Sequence, residues 1–184
     1  AAERVYQTLG PLAAIATKIR VGAGAALFWL PQETIFYDGA ALRRDYSVEM
    51  DTDSKFLAVE PLVFGRSQMG ETVTKIRLMD TWRIWRGGSL AHADNLTIGP
   101  ALPKSKAVLA GAGASATIVY IAEDAERRLP AVLDKLQTRS GASAWNGKLI
   151  ARLLAEDGYM LQKQIVCALQ ALAGDGTLPK IWTM

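Results

Sequence analysis

One cysteine, Cys167, and one histidine, His92, are all that this 184-residue chain has of either type. A lone cysteine closes no internal disulfide, which fits a reducing compartment. One Cys and one His do not make a closed tetrahedral zinc site, and they leave little for Cys–His nucleophilic chemistry. Any metal handled here must meet carboxylates, carbonyls, water or ligands from another chain. Runs of like charge are also missing. Basic residues come as the pairs Arg43-Arg44 and Arg127-Arg128, so the net charge of +3 is not gathered into the stripe a nucleic-acid binder presents. The longest uncharged run, Ala107–Ala122, is short for a membrane span and is broken by Gly111, Gly113, Ser115 and Thr117. No signal peptide is visible. No G-x-x-x-x-G-K-[ST] motif is present, which excludes a P-loop.

Half of the residues are hydrophobic. That excess either fills a large alanine-rich core or faces a partner. The first two thirds read as strands. In "AAIATKIRV" the residues Ile15, Thr17, Ile19 and Val21 share a face at period 2. "ALFWLPQETIFYDGA" holds two apolar runs broken at Pro31. In "ALRRDYSVEM" Leu42, Arg44, Tyr46, Val48 and Met50 lie on one side. "KFLAVEPLVF" and "SATIVYIA" are further strands, and Gly87-Gly88 joins two more as a tight hairpin.

The character changes after Ala122. "EDAERRLPAVLDKLQ" has helical spacing through Ala125, Leu129, Val132, Leu133 and Leu136, with Pro130 either kinking the helix or starting it. "KLIARLLA" fits a strand or a helix. "DGYMLQKQIVCALQALAG" predicts an amphipathic helix through Leu161, Ile165, Ala168, Leu169 and Leu172, stopped at Gly174, with Cys167 as an inert packing residue. The expected architecture is mainly β. It is a layered β-sheet domain with a smaller helical C-terminal part of one to three helices: a single unit over 1–184, β-rich in 1–122 and helix-containing in 123–184.

Most local motifs fail on context. "GAGASA", Gly111 to Ala116, runs into β-rich sequence instead of opening a helix, so it is a turn and not a dinucleotide fingerprint. "GRSQMG" misses the G-x-S-x-G elbow because Met69 stands where the second glycine belongs. A serine hydrolase built on Ser67 and His92 is a remote alternative, as is a β-rich protein-binding domain of some other kind.

The carboxylates carry more. Glu33 and Glu60 sit in strongly apolar sequence, where an unpaired charge is costly. Either they pair with Arg66 or Arg83, or they line a polar channel or an acidic partner-facing site. An oxygen-rich channel would pass a divalent metal without trapping it as thiolates would.

"WLPQETIFYDGA" followed by "FLAVEPLVFGRSQMGE" resembles the signature of the urease accessory protein UreD family (UreH in some organisms). "AERVY", "DTWRIWRGGSLAHADNL" and "LPKIW" follow the same pattern in the same order, and the likeness is weakest over 101–144. Family members carry further β-rich sequence ahead of the position matching Ala1. The resemblance implies a cytoplasmic scaffold and not an enzyme. It implies partners UreF, UreG through UreF, and the urease apoprotein, with no nucleic acid and no membrane. It implies nickel in transit and no stably bound metal or cofactor. The residues matched to the family motifs as metal-path or structural groups are Glu33, Glu60, Arg66, Glu71 and Asp94. The last helix and tail, through Leu161, Ile165, Leu169, Leu178, Ile181 and Trp182, either face UreF or cap the β core.

Overall fold

Strands predominate in the computed structural model, which describes residues 2–66, 70–102, 105, 108–174 and 176–183. They are β1 (Glu3–Val5), β2 (Ala13–Val21), β3 (Ala26–Trp29), β4 (Thr34–Phe36), β5 (Ala40–Met50), β6 (Lys55–Phe64), β7 (Ile76–Arg86), β8 (Ser89–Ile98), β9 (Ala114–Ile121), β10 (Gly141–Trp145) and β11 (Lys148–Ala155). Two helices, α1 (Ala125–Leu133) and α2 (Gly158–Ala173), and a 3-10 turn at Lys180–Trp182 complete the chain. The mainly β, layered class expected from the sequence is the one found.

The strands form two sheets. The larger runs β1-β4-β6-β9-β11-β10, with β3 also paired to β6; the smaller runs β2-β5-β7-β8. From β2 to β7 the chain alternates between them, which explains pairs that are parallel without helical crossovers. β2, β5 and β7 pair in parallel in the small sheet, while β3 and β4 pair in parallel with β6 in the large one. Parallel neighbours need a crossover, and here a strand of the facing sheet supplies it.

The layers are therefore small sheet, large sheet, helices. Leu57, Val59, Ile118, Leu149 and Leu153 face the helices and meet Leu161, Ile165 and Leu169 of α2. The opposite face of the large sheet meets the small sheet through two separate apolar clusters. One contains Phe36, Leu42, Leu62, Phe64, Ile76 and Leu78; the other contains Val48, Phe56, Ala58, Ile84, Val119 and Ile121. Because both faces of β6 are covered, it reads as one continuous apolar run and not as an alternation.

Several expectations are refined. Pro130 neither starts α1 nor ends it, but lies inside it. Leu133, assigned to its apolar face, is 46% exposed, so the buried stripe is Ala125 and Val132. "KLIARLLA" is the strand β11. β10 lies in "SGASAWNG", whose small and polar residues give no strand signal, so 123–184 adds a hairpin to the large sheet as well as two helices. Asn146 and Gly147 both adopt positive φ between β10 and β11, the turn an Asn-Gly pair favours. α2 matches its expected span, and Asp157 caps it by accepting from the Met160 amide at 2.8 Å. Cys167 is exposed on α2 and does not pack. No helix among the described residues is long and apolar enough to cross a membrane.

Candidate functional site

Between the two apolar clusters lies a layer of charged and polar side chains that crosses the sandwich. It arises from register. Glu60 on β6, Thr117 on β9 and Arg152 on β11 stand side by side in the large sheet. Opposite them, Arg44 on β5 neighbours Asp80 on β7, and Tyr46, Trp82 and Asp94 form the next row. Each of these occupies the inward phase of its strand, where its neighbours two residues away are mostly apolar.

Arg44 is the centre. Its side chain is 2% exposed, and it bridges the sheets: Nη1 lies 2.6 Å from Glu60 Oε1, and Nη2 lies 2.5 Å from Asp80 Oδ2. Nη1 also donates to Thr34 Oγ1 at 3.1 Å. The Tyr46 hydroxyl donates to Glu60 Oε2 at 2.8 Å, and the Tyr46 ring packs on Trp82 with centroids 4.3 Å apart and planes tilted by 35°. Glu3 closes the outer end, with Oε2 3.9 Å from Arg44 Nη1 and 3.2 Å from the Thr34 hydroxyl. At the other end Arg152 donates to Thr117 Oγ1 at 2.5 Å and pairs with Asp94.

The electrostatics follow from burial. Desolvation lifts the Glu60 carboxyl to about 7, although Arg44 beside it pulls the other way. Asp80 is raised for the same first reason. Burial also works against the Arg44 charge, but Glu60 and Asp80 outweigh it and hold the guanidinium proton more tightly than usual. His92, one row beyond Asp94, is lowered by burial, and its Nε2 has no partner among the described residues.

Surface reaches the layer through a gap in the large sheet. β3 pairs with β6 as far as Ala58, and β4 resumes at Leu62. Val59, Glu60 and Pro61 therefore have no strand partner on that side. Pro61, which has no amide hydrogen to donate, fits where no bond is needed. The intervening Leu30, Pro31 and Gln32 skirt a cavity of about 390 Å³ that Glu3, Thr34, Arg44, Tyr46 and Glu60 also line. On the far side a second cavity, about 380 Å³, is lined by Asp94, Thr117, Arg139 and Arg152.

The candidate residues are thus divided. Glu60 and Asp94 both belong to the layer. Glu60 pairs with Arg44 and with neither Arg66 nor Arg83; Arg83 instead donates to the Asp94 carbonyl and the Asn95 side chain. Glu33 lies in the loop before β4, half-buried, and lines a separate pocket with Arg66, Tyr159 and Gln162. Arg66 and Glu71 form a surface pair at 3.3 Å. Ser67 lies outside the described residues. Leu161, Ile165, Leu169 and Trp182 are buried in the core, so the tail caps the β core instead of presenting an apolar helix face; Leu178 packs beside them and only Ile181 is exposed. Trp182 Nε1 donates to the Leu30 carbonyl at 3.0 Å, which anchors the tail at the cavity rim. Sequence reasoning did not single out Arg44, Asp80, Tyr46, Thr34 or Glu3. The available signal was a charge at the inward phase of an alternating strand, as in Leu42-x-Arg44-x-Tyr46 and Leu78-x-Asp80-x-Trp82.

Among the described residues no three His, Cys, Asp or Glu side chains are grouped so as to hold a metal ion as they stand. The layer offers oxygen donors and guanidinium groups. It has no imidazole–thiolate set and no nucleophile–base pair.

A family model described as UreD urease accessory protein matches residues 1–183. A protein named urease accessory protein UreD from Jannaschia sp. (strain CCS1) is 43% identical over 185 residues, which covers 98% of this chain and 69% of that protein. One of the same name from Rhizobium johnstonii is 43% identical over 188 residues, covering 100% and 69%. Another from Agrobacterium fabrum is 40% identical over 187 residues, covering 100% and 66%. The chain thus spans about two thirds of the length of these relatives.

Proposed function

The chain belongs to the UreD family of urease accessory proteins, with a role in urease maturation, and from that premise we propose that it is a non-catalytic cytoplasmic scaffold along whose polar layer nickel passes towards the urease apoprotein. In this reading it works in a complex with UreF and, through UreF, with UreG.

The observation that supports a metal path is the layer itself. A row of buried charge through a β sandwich is poor design for stability, since well-packed apolar side chains of similar volume serve as well or better. The layer has open cavities at both ends. Its carboxylates outnumber its guanidinium groups by a small margin: Glu3, Glu60, Asp80 and Asp94 against Arg44, Arg139 and Arg152. Such a strip attracts a divalent cation. Its carboxylate and hydroxyl donors bind nickel less firmly than imidazole or thiolate would, which suits cargo in transit. Glu60 is the innermost carboxylate on the path, and Asp94 lies towards the far end.

The test is urease activation in cells carrying the urease genes with this chain as the sole UreD. Glu60→Gln is expected to lower the nickel content of purified urease several-fold while the chain still co-purifies with UreF and apoprotein. Full nickel loading with Glu60→Gln and Asp94→Asn together, in a folded and complexed chain, overturns the path. Failure of the unaltered chain to co-elute with UreF overturns the scaffold.

A further inference from the structure

The outer face of the small sheet is bare. β2, β5 and β7 run parallel there, and strands paired in parallel usually have both faces covered. The helices pack on the far side of the large sheet and cover nothing here. Register gathers on this face charges that are scattered in the sequence. Lys18 on β2 stands across Ser47 from Arg83 on β7, Arg20 neighbours Glu49 in the next row, and Arg43 and Arg77 lie towards the other end. These five cations meet two carboxylates, Asp45 and Glu49, a surplus equal to the +3 of the whole chain. Arg43 is held by Asp45 at 2.9 Å, and Arg83 lies along β8 against Asn95. Lys18, Arg20 and Arg77 are exposed and have no ion-pair partner among the described residues. The face also carries apolar area. Met79 is 47% exposed and Leu90 55%, and Trp85 walls a cavity of about 450 Å³ that Arg20, Ser47 and Glu49 also line. Four strands about 4.8 Å apart and about 30 Å long give a plane of roughly 600 Å² before side-chain relief is counted. Each partner in a standard interface gives about 800 Å².

We propose that this face docks the acidic surface of a protein partner, with carboxylates seated on Lys18, Arg20 and Arg77 and an apolar side chain entering the cavity beside Trp85. Unpaired surface cations steer an acidic partner and fix its orientation, and the aromatic wall supplies area that is desolvated in the complex. Asp45 and Glu49 speak against nucleic acid. They stand on the central strand β5 between the cations, where a phosphate backbone would meet them. A protein surface can answer them with cations of its own. None of the five cations lines either cavity of the polar layer, so the dock and the metal path are separate surfaces. The inference rests on the scaffold reading and adds which face holds a partner.

The experiment immobilises the full chain and offers it recombinant UreF and urease apoprotein as separate probes, at low and at high salt. Lys18→Glu with Arg77→Glu reverses two unpaired charges on the face. Arg127→Glu with Lys163→Glu makes the same change of charge on the helices, and all four positions are exposed. One of the two probes is expected to associate with the face variant about tenfold more slowly than with the unaltered chain. The unaltered chain should lose that same probe as salt rises. Lys18→Gln with Arg77→Gln should show a smaller loss of the same probe, and Met79→Asp, which keeps the cations, should speed its dissociation. The helix-side variant is expected to bind as the parent does. Equal binding of both probes by the face variant and the parent overturns the dock. So does an equal loss in the helix-side variant, which would reflect net charge alone. Retention of the unaltered chain on duplex DNA, abolished in the face variant while both probes still bind, overturns it in favour of nucleic acid. The two readings separate cleanly. If the unaltered chain binds neither UreF nor apoprotein, the scaffold reading fails and the dock with it. If it binds and the face variant binds equally, the dock alone fails.

Discussion

Arg44 Nη1 lies 2.6 Å from Glu60 Oε1, and the two residues belong to different sheets. One contact thus ties β5 of the small sheet to β6 of the large one. Slipping β5 against its neighbours by one residue would turn Arg44 outward and leave Glu60 buried without its counter-charge. The same pair separates the two apolar clusters that hold the sheets together, so the polar layer is flanked by low-dielectric material on both sides.

Removing the cation alone should therefore be costly. Arg44→Met leaves Glu60 and Asp80 buried and unpaired, for an expected loss of about 3–5 kcal/mol in urea unfolding. The triple change Arg44→Met, Glu60→Gln, Asp80→Asn should recover most of that loss, because no charge then remains to be compensated. If the triple variant is as unstable as the single one, packing and not charge sets the cost.

Glu60 also predicts a pH dependence. Its carboxyl is pushed up to about 7 from an unfolded value near 4.5, with burial as the main cause. Between those two values the folded chain holds a proton that the unfolded chain has released. Stability therefore falls as pH rises through that window, by about 3 kcal/mol when complete. Asp80 is shifted in the same direction and adds to the slope. Thermal scans from pH 4.5 to 8 should show a shallower decline in Glu60→Gln. Parallel curves would mean that Glu60 stays ionised throughout.

The C-terminal tail belongs to the core energetically. Trp182 is 3% exposed and packs with Leu172 and Leu178 under the large sheet. Trp182→Ala should cost about 3–5 kcal/mol, and deleting 178–184 should lower Tm by a similar or larger margin. Loss of a partner on that deletion would consequently say little about an interface. Ile181→Ser, at a position 39% exposed, is the cleaner probe and should stay within about 0.5 kcal/mol of the parent.

Periodicity made much of the fold legible. The alternation in "AAIATKIRV" and "ALRRDYSVEM", the Gly87-Gly88 hairpin and the spacing of Leu161, Ile165 and Leu169 each correspond to an element in place. β10 escaped because its side chains, Gly141 to Trp145, are small or half-exposed at an edge and bury too little to show a pattern. The site was legible only in part. Glu60 stands out as a charge in an apolar run, but its partner is carried by another sheet, and the pairing of distant strands is not written in local spacing. Leu161, Ile165 and Leu169 show the converse. An apolar helical stripe specifies that something covers it, and here the chain's own sheet does so.

Gly87 and Gly88 offer a test of how tightly the β7–β8 hairpin is seated. Both have positive φ, 55° and 79°. A Cβ at Gly88 would meet nothing within 4 Å, whereas one at Gly87 would lie 2.4 Å from Thr52 Cγ2. Gly88→Ala therefore reports backbone strain alone, about 1–2 kcal/mol. Gly87→Ala adds a steric clash with the turn after β5 and should be measurably worse. Replacing Thr52 by Ser removes the clashing methyl and should return the Gly87→Ala double variant to the level of Gly88→Ala. If it does not, the hairpin tip moves as a unit and the contact with Thr52 carries no constraint. Arg86 would then be the anchor instead, since its guanidinium donates to the Thr52 carbonyl from both Nε, at 2.9 Å, and Nη2, at 2.5 Å.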